Sequence, residues 1–137
     1  MGYYFSKTLD LPFDRAVAQV TEGLAAKGFG VLTTIDVKAT MKKKLDVDFR
    51  PYTILGACHP GFAHKALKAE DKIGTMLPCN VIVQETGRDR VEIAAVDPAA
   101  SMAAIDNPDL AAIAKEVREL LRQVVAGLQL GATAISR

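Results

Sequence analysis

The sequence predicts an α+β fold, a two-layer sandwich in which helices pack on one face of a mixed β-sheet. Three observations support this prediction. Short β-branched runs alternate with amphipathic helical segments, two adjacent strands form a hairpin, and neither an internal repeat nor a long linker interrupts the chain. The predicted order is β-α-β-α-β-α-β-β-α. With 137 residues, 50% of them hydrophobic, the chain is expected to form one domain spanning residues 1–137.

The first two strands and helices follow from local signals. Residues 3–9 alternate in polarity and are rich in aromatic side chains, which predicts the first strand. An apolar stripe at helical spacing follows, and Gly28 is expected to end that helix. The β-branched run at residues 29–35 predicts the second strand. Asp36 is the expected N-cap of a short basic helix over residues 37–45.

The middle of the chain predicts a strand over residues 52–57, a helix from His59-Pro60 to residue 69, and two strands over 79–85 and 90–96. The short polar segment between the last two strands is expected to be a hairpin turn.

The last helix is predicted to begin at Asn107-Pro108, with Asn107 as the N-cap. An apolar stripe then repeats at steps of three and four: Leu110, Ile113, Val117, Leu120, Val124 and Leu128. This stripe is too short for a coiled coil, so we expect the helix to pack on the sheet or on a second subunit. The other sheet face would be covered by a partner or by this helix, and a homodimer is the economical prediction. Residues 129–137 are expected to fray.

The charge balance argues against nucleic acid as a partner. Lysine plus arginine number 17 and aspartate plus glutamate 16, and the only dense basic run, Lys42–Lys44, fits a solvated helix face. The longest late run without charge, residues 123–136, is too short and too polar for a membrane span. No export signal is visible, so we expect a cytoplasmic protein whose two cysteines are free thiols.

Any chemistry is expected in the stretch from Tyr52 to Glu85, which holds both cysteines and both histidines. Cys58 ends a predicted strand just before a helix, and the unsatisfied N–H groups and dipole of that helix would favour a thiolate. Cys58 as nucleophile and His59 as its base or electrostatic partner are therefore the candidate catalytic residues. The alternative interpretation is that Cys58 is a small buried hydrophobe, as most free cysteines are.

Cys79 opens the next strand, and the direction of the two strands decides whether it meets Cys58. A helical crossover favours parallel strands, which would hold the two cysteines about 20 Å apart, whereas antiparallel strands would bring them to one edge. If they meet, Cys58, His59 and Cys79 are weak candidate ligands for a soft metal or a haem iron. His64 lies about 140° around the helix from His59, so it is expected to be a surface residue.

Several segments resemble the domain-of-unknown-function family numbered 302, small prokaryotic proteins with a two-layer α/β fold. The most specific are Ile54-Leu55-Gly56-Ala57-Cys58 and Leu77-Pro78-Cys79-Asn80-Val81, and Gly28-Phe29-Gly30, Asp48–Tyr52, Ile73-Gly74 and Asp97-Pro98 also match. The resemblance implies a compact, often dimeric domain without an assigned activity, and it carries over no catalytic residues. One position departs from it, because His59 stands where the family pattern has asparagine. A mechanism that needs His59 would therefore not be shared across that family.

Three hypotheses follow from the residues. The first is a small binding or sensing domain whose ligand, of unknown identity, lies near Cys58, His59 and Cys79. The second is a thiol enzyme or sulfur carrier that uses Cys58 as nucleophile. The third is a structural or interaction module whose cysteines only pack. The cofactor, if there is one, does not follow from the sequence.

Overall fold

The computed structural model describes residues 2–129 and confirms the predicted order of strands and longer helices, which a 3₁₀ turn and one short helix accompany. The elements are β1 (Tyr4–Leu9), α1 (Phe13–Ala26), β2 (Gly30–Asp36), α2 (Val37–Leu45), β3 (Tyr52–Cys58), α3 (Pro60–Ala69), a 3₁₀ turn (Ile73–Met76), β4 (Cys79–Gly87), β5 (Arg90–Val96), α4 (Pro98–Ser101) and α5 (Pro108–Ala126). The tail predicted to fray lies, from residue 130 onward, outside the described residues.

The five strands form one sheet in the order β1-β5-β4-β3-β2, and every neighbouring pair is antiparallel. The α+β class is confirmed, but the prediction of a mixed sheet was wrong. Asp36 pairs with Thr53, and Ala57 pairs with Cys79. The segments containing α2 and α3 therefore each return the chain to the end of the sheet that it left. A helix within a connection does not by itself require a crossover to a parallel strand.

Side-chain caps fix the starts of three helices. The Asp36 carboxylate accepts a hydrogen bond from the Ala39 amide at 2.9 Å, which confirms the predicted N-cap of α2. Asp97 caps α4, and Asn107 caps α5 in the same way. Asp97 is itself buried, and its second oxygen lies 3.0 Å from Nε of Arg118 on α5. These caps satisfy amide groups that a helix start leaves free, so local sequence determines where each helix begins.

The main core lies between the sheet and the helices α1 and α5. Inward-facing side chains of β3, β4 and β5 meet the buried stripe of α1, which consists of Ala16, Val20 and Leu24. The last helix packs on the sheet, one of the two arrangements predicted for it. Its buried residues are Leu110, Ala114, Val117, Leu121, Val124 and Val125. Ile113 and Leu120, which the predicted stripe included, are only half-buried, whereas Ala114, Leu121 and Val125, which it did not include, are buried.

A second, smaller cluster joins α3 to α5 beyond the end of β4. Its buried members are Ala66, Ile73, Met102, Leu110 and Ala114. The Asn107 side chain strengthens the junction, since its amide donates to the Ala69 carbonyl at 2.8 Å. The gap between this cluster and the main core is where the candidate site forms.

Candidate functional site

A small apolar cavity of about 40 Å³ lies where the C-terminal end of β3 and the N-terminal end of β4 meet the helices α3 and α5. Both cysteines and His59 contribute to its wall. The other lining residues are Phe29, Ala57, Phe62, Ala63, Ala66, Leu77, Pro78, Pro98, Met102, Leu110, Ile113, Ala114 and Val117. The structure therefore brings the three sequence-predicted site residues to one place.

The His59 ring is held by aromatic contacts. Its centroid lies 4.6 Å from that of Phe62, one turn along α3, and 5.4 Å from that of Phe29 in an edge-to-face arrangement. The third neighbour is the backbone of Gly28, where a Cβ atom would lie only 2.8 Å from the imidazole Nε2. The imidazole is thus positioned by packing, since His59 makes no side-chain capping bond to α3.

The Nδ1 atom of His59 is buried and has no hydrogen-bond partner among residues 2–129. Leaving a buried polar atom unpaired costs about 1–3 kcal/mol, so such atoms are uncommon and call for an explanation. An imidazole nitrogen can donate a hydrogen bond, accept one or bind a metal, depending on its tautomer. His59, one of the residues that line the apolar cavity, therefore has one unused polar atom.

The two cysteines lie close together because β3 and β4 are antiparallel. The helix between these strands had favoured a parallel pair, which would have held the cysteines far apart. Cys79 pairs with Ala57, so it is the diagonal neighbour of Cys58 across an antiparallel ladder. Both residues line the same cavity. Both thiols are free, Cys79 buried and Cys58 half-buried.

The pKa of the Cys79 thiol is raised from 9.0 to about 11, first by burial and second by the neighbouring Cys58. The cause is mainly the loss of water around the thiolate, since Cys79 is only 8% exposed. At neutral pH Cys79 is therefore a protonated, poorly nucleophilic thiol.

The metal hypothesis receives no direct geometric support. Among residues 2–129, no three or more histidine, cysteine, aspartate or glutamate side chains are grouped closely enough to hold a metal ion. His64 is exposed on α3, as the helical spacing predicted.

None of the helices within residues 2–129 combines the length and apolar character needed to cross a bilayer.

Sequence reasoning missed much of the cavity wall. Phe62 follows His59 by one helical turn, a spacing that could have indicated their contact. Phe29 follows the helix-ending Gly28 and reaches the imidazole only through the fold. Met102 and Leu110 come from the end of the chain farthest from Cys58, and no local signal connects them to it.

Comparisons with known proteins agree with the fold. The family model "Domain of unknown function DUF302" matches residues 5–128. The crystal structure of an uncharacterized conserved DUF302 protein from Bacillus stearothermophilus superposes with a TM-score of 0.84 at 24% identity, over 92% of this chain and 98% of that chain. No curated protein matches the sequence.

The segments that carry the family resemblance meet at the cavity. Phe29, Cys58, Cys79 and Pro98 each belong to one of those segments, and all four line its wall. The family assignment and the candidate site thus depend on the same parts of the sequence. With the family model covering residues 5–128, the chain belongs to the DUF302 family.

Proposed function

We propose that the protein is a small binding or sensing domain whose ligand occupies the cavity beside His59. The observation that carries this proposal is the buried, unpartnered Nδ1 of His59, a residue that lines an apolar cavity. A ligand atom that hydrogen-bonds Nδ1 would remove the cost of leaving it unpaired. Apolar pockets with a few placed polar groups are the usual form of small-molecule sites.

The size of the cavity restricts the ligand. A volume of about 40 Å³ admits about three water-sized groups, since one such group needs roughly 10–15 Å³. The ligand, or the part of it that enters, is therefore a short apolar group with one polar atom. A haem is far too large for this cavity, so we set aside the haem version of the hypothesis. A soft metal ion held by Cys58, His59 and Cys79 is the second possibility.

The geometry favours binding over thiol catalysis. A nucleophile and its base normally lie within hydrogen-bond reach, about 2.6–3.2 Å. Nδ1 of His59 makes no hydrogen bond to Cys58 or to any other group within residues 2–129. Cys79, with its pKa raised to about 11, is a poor second thiol for sulfur transfer at neutral pH. Cys58 is therefore proposed as part of the binding wall.

The test uses small probes of matched size, namely ethanol, acetamide and propane, together with Zn²⁺ and Cu⁺. Binding is followed by NMR through the methyl signals of Ala57 and Ala63 and the ring signals of His59. We expect ethanol or acetamide to shift these signals more strongly than propane. His59→Phe, which keeps an aromatic ring but removes Nδ1, should weaken that binding at least about tenfold, the effect of one lost buried hydrogen bond.

His64→Phe is the matched control, because His64 is exposed on the same helix and should leave binding unchanged. Binding of a metal alone, lost in Cys58→Ser and His59→Phe, would replace the small-molecule version with the soft-metal version. Failure of every probe to shift the cavity signals would overturn both and leave the packing role as the explanation of the cysteines.

We further infer that the protein works as a homodimer in the cytoplasm. The two free thiols fit a reducing compartment. The homodimer is supported by the sheet face opposite the main core, where Ile82 and Ala94 border an open hollow.

A further inference from the structure

The outer edge of β2, called here the β2 edge, has no partner strand. β2 ends the sheet and pairs only with β3. Within residues 2–129, no backbone hydrogen bond joins its outward-facing N–H and C=O groups to another segment. An extended chain can pair with such groups and add a strand to the sheet, which is one of the common ways in which a protein recognises a peptide. The β2 edge is therefore a template for strand addition.

The two edges of the sheet differ in how they are protected. On the opposite edge, Nζ of Lys7 in β1 donates to the Ala126 and Leu128 carbonyls at 2.9 and 2.7 Å. A lysine drawn inward on an edge strand is a device by which proteins prevent strand addition. β2, with the sequence GVLTTID, contains neither lysine nor proline, and its pairing with β3 is irregular only around Leu32. The regular part of the β2 edge, residues 33–36, thus has no such protection.

Exposed apolar side chains are concentrated near this edge. Within residues 2–129, four of the eight large apolar or aromatic side chains that are exposed lie in residues 32–47, namely Leu32, Ile35, Leu45 and Val47. The first two belong to β2 itself and are 67% and 46% exposed. Apolar groups beside an unpaired edge are characteristic of a surface that receives another chain.

The helix α2, which follows β2 directly, determines the charge of that chain. α2 contains four lysines and no acidic residue, and none of its residues is buried. Lys42 forms ion pairs with two aspartates beyond the end of the helix. Lys38, Lys43 and Lys44 are exposed and have no ion pair within residues 2–129. Three cations are therefore available to a negatively charged partner.

We propose that the β2 edge binds an extended acidic segment of a partner protein, which adds a strand beside β2 and sets its carboxylates against the lysines of α2. Backbone hydrogen bonds provide the pairing, and Leu32 and Ile35 provide apolar contacts. Lys38 follows the last residue of β2 by two positions, so it is the first of these lysines that the added strand meets. The edge favours a peptide over a lipid surface, because the apolar part of a bilayer offers backbone groups no hydrogen-bonding partners.

This docking site is separate from the cavity beside His59. No residue of β2 or α2 lines that cavity. The binding of a partner segment therefore goes beyond the proposed function, and it can be tested whether or not the cavity binds a ligand.

The test uses a short synthetic peptide of alternating valine and threonine with glutamate at both ends, titrated into the full chain and followed by NMR. We expect the amide signals of Thr34 and Ile35 to shift and their hydrogen exchange to slow, while those of Thr8 on the protected β1 edge stay unchanged. The same peptide with N-methylated backbone amides lacks the donors for strand pairing, and it should bind at least about tenfold more weakly. A peptide with lysine in place of glutamate should also bind more weakly.

Lys38→Glu should weaken binding of the acidic peptide severalfold. Lys115→Glu is the matched control, because Lys115 is exposed on α5 and the change in net charge is the same. Circular dichroism verifies that each variant is folded. Equal binding of the N-methylated peptide, or equal effects of Lys38→Glu and Lys115→Glu, would overturn the proposal. Binding of phosphatidylserine vesicles without binding of the peptide, or self-association through β2 that excludes the peptide, would overturn it as well.

Discussion

Gly28 leaves the space that the His59 imidazole occupies. A Cβ atom at position 28 would lie 2.8 Å from Nε2 of His59. The backbone of Gly28 has a φ of +90°, which residues with a Cβ atom rarely adopt. The glycine that follows the C-cap of α1 therefore also packs against the imidazole of the candidate site. Phe29, its neighbour, supplies the edge-to-face contact on the same ring.

Replacing Gly28 by alanine should therefore destabilise the protein and displace His59. The positive φ alone costs about 1–2 kcal/mol for a residue with a Cβ. Displacement of the imidazole adds to this, so we expect a loss of about 2–3 kcal/mol in the free energy of unfolding, measured by urea denaturation. Part of that loss should disappear when Gly28→Ala is made in a His59→Ala background, where the clash is absent.

Gly30→Ala is the matched control two residues away, because a Cβ there has no atom within 4 Å. Its effect should stay within about 0.5 kcal/mol, as for most surface substitutions. An equal cost of Gly28→Ala in the wild-type and His59→Ala backgrounds would show that the contact with His59 contributes nothing.

The raised pKa of Cys79 predicts a loss of stability at alkaline pH. A thiol whose pKa rises from 9.0 to about 11 on folding stabilises the folded state fully below pH 9. That contribution is lost as the pH rises from 9 through 11, because the unfolded chain ionises first. Two pKa units correspond to about 2–3 kcal/mol. Urea unfolding at pH 8 and pH 11 should show the wild type losing about that much more stability than Cys79→Ala.

Tyrosines and lysines also titrate in this range, but they are the same in wild type and Cys79→Ala. The difference between the two proteins in the free energy of unfolding therefore reports Cys79 alone. Cys58→Ser should lower the pKa of Cys79, because the neighbouring Cys58 contributes to raising it. Alkylation followed by mass spectrometry provides an independent measurement, in which Cys58 should react in native protein at neutral pH before Cys79 does. Equal pH dependence of wild type and Cys79→Ala would contradict a buried, protonated Cys79.

Local signals were enough to predict most elements of the fold. Asp36 gave the start of α2 because an N-cap acts on amides only two or three residues away, and the bonded Ala39 amide confirms it. The hairpin of β4 and β5 was predicted for the same reason, since its two strands are joined by a short turn. Such features need no knowledge of distant parts of the chain.

Strand direction and the cavity wall were beyond local signals. The pairing of Ala57 with Cys79 joins residues 22 positions apart, and the intervening helix fitted either direction. Cys58 was predicted as a nucleophile because a helix begins just after it, and His59 was predicted as its base or electrostatic partner because the two are adjacent in sequence. In the fold the His59 ring turns to Phe29 and Phe62, which only the packing of three elements determines. The adjacency of Cys58 and His59 along the chain did not predict which groups the His59 side chain contacts.

Asn107 offers a test of how α3 is joined to α5. Its side-chain oxygen accepts hydrogen bonds from the amides of Asp109 and Leu110, and its nitrogen donates to the Ala69 carbonyl at 2.8 Å and to Glu70 at 3.2 Å. Asn107→Asp keeps the capping oxygen but removes the donor, and it sets a carboxylate against the Ala69 carbonyl and Glu70. We expect a loss of about 1–3 kcal/mol in the free energy of unfolding, the cost of an unpaired polar group.

Asn107→Ser separates the two causes of this loss, because serine also caps a helix but brings no charge. It should cost less than Asn107→Asp, and the difference should shrink in acid, where carboxyl groups are protonated and can donate a hydrogen bond. Amide hydrogen exchange should quicken around Ala66 and Ile73, in the cluster that the junction supports, while the middle of β4 stays protected. If Asn107→Asp is as stable as the wild type, the bond to Ala69 does not hold α3 against α5, and the cavity depends on apolar packing alone.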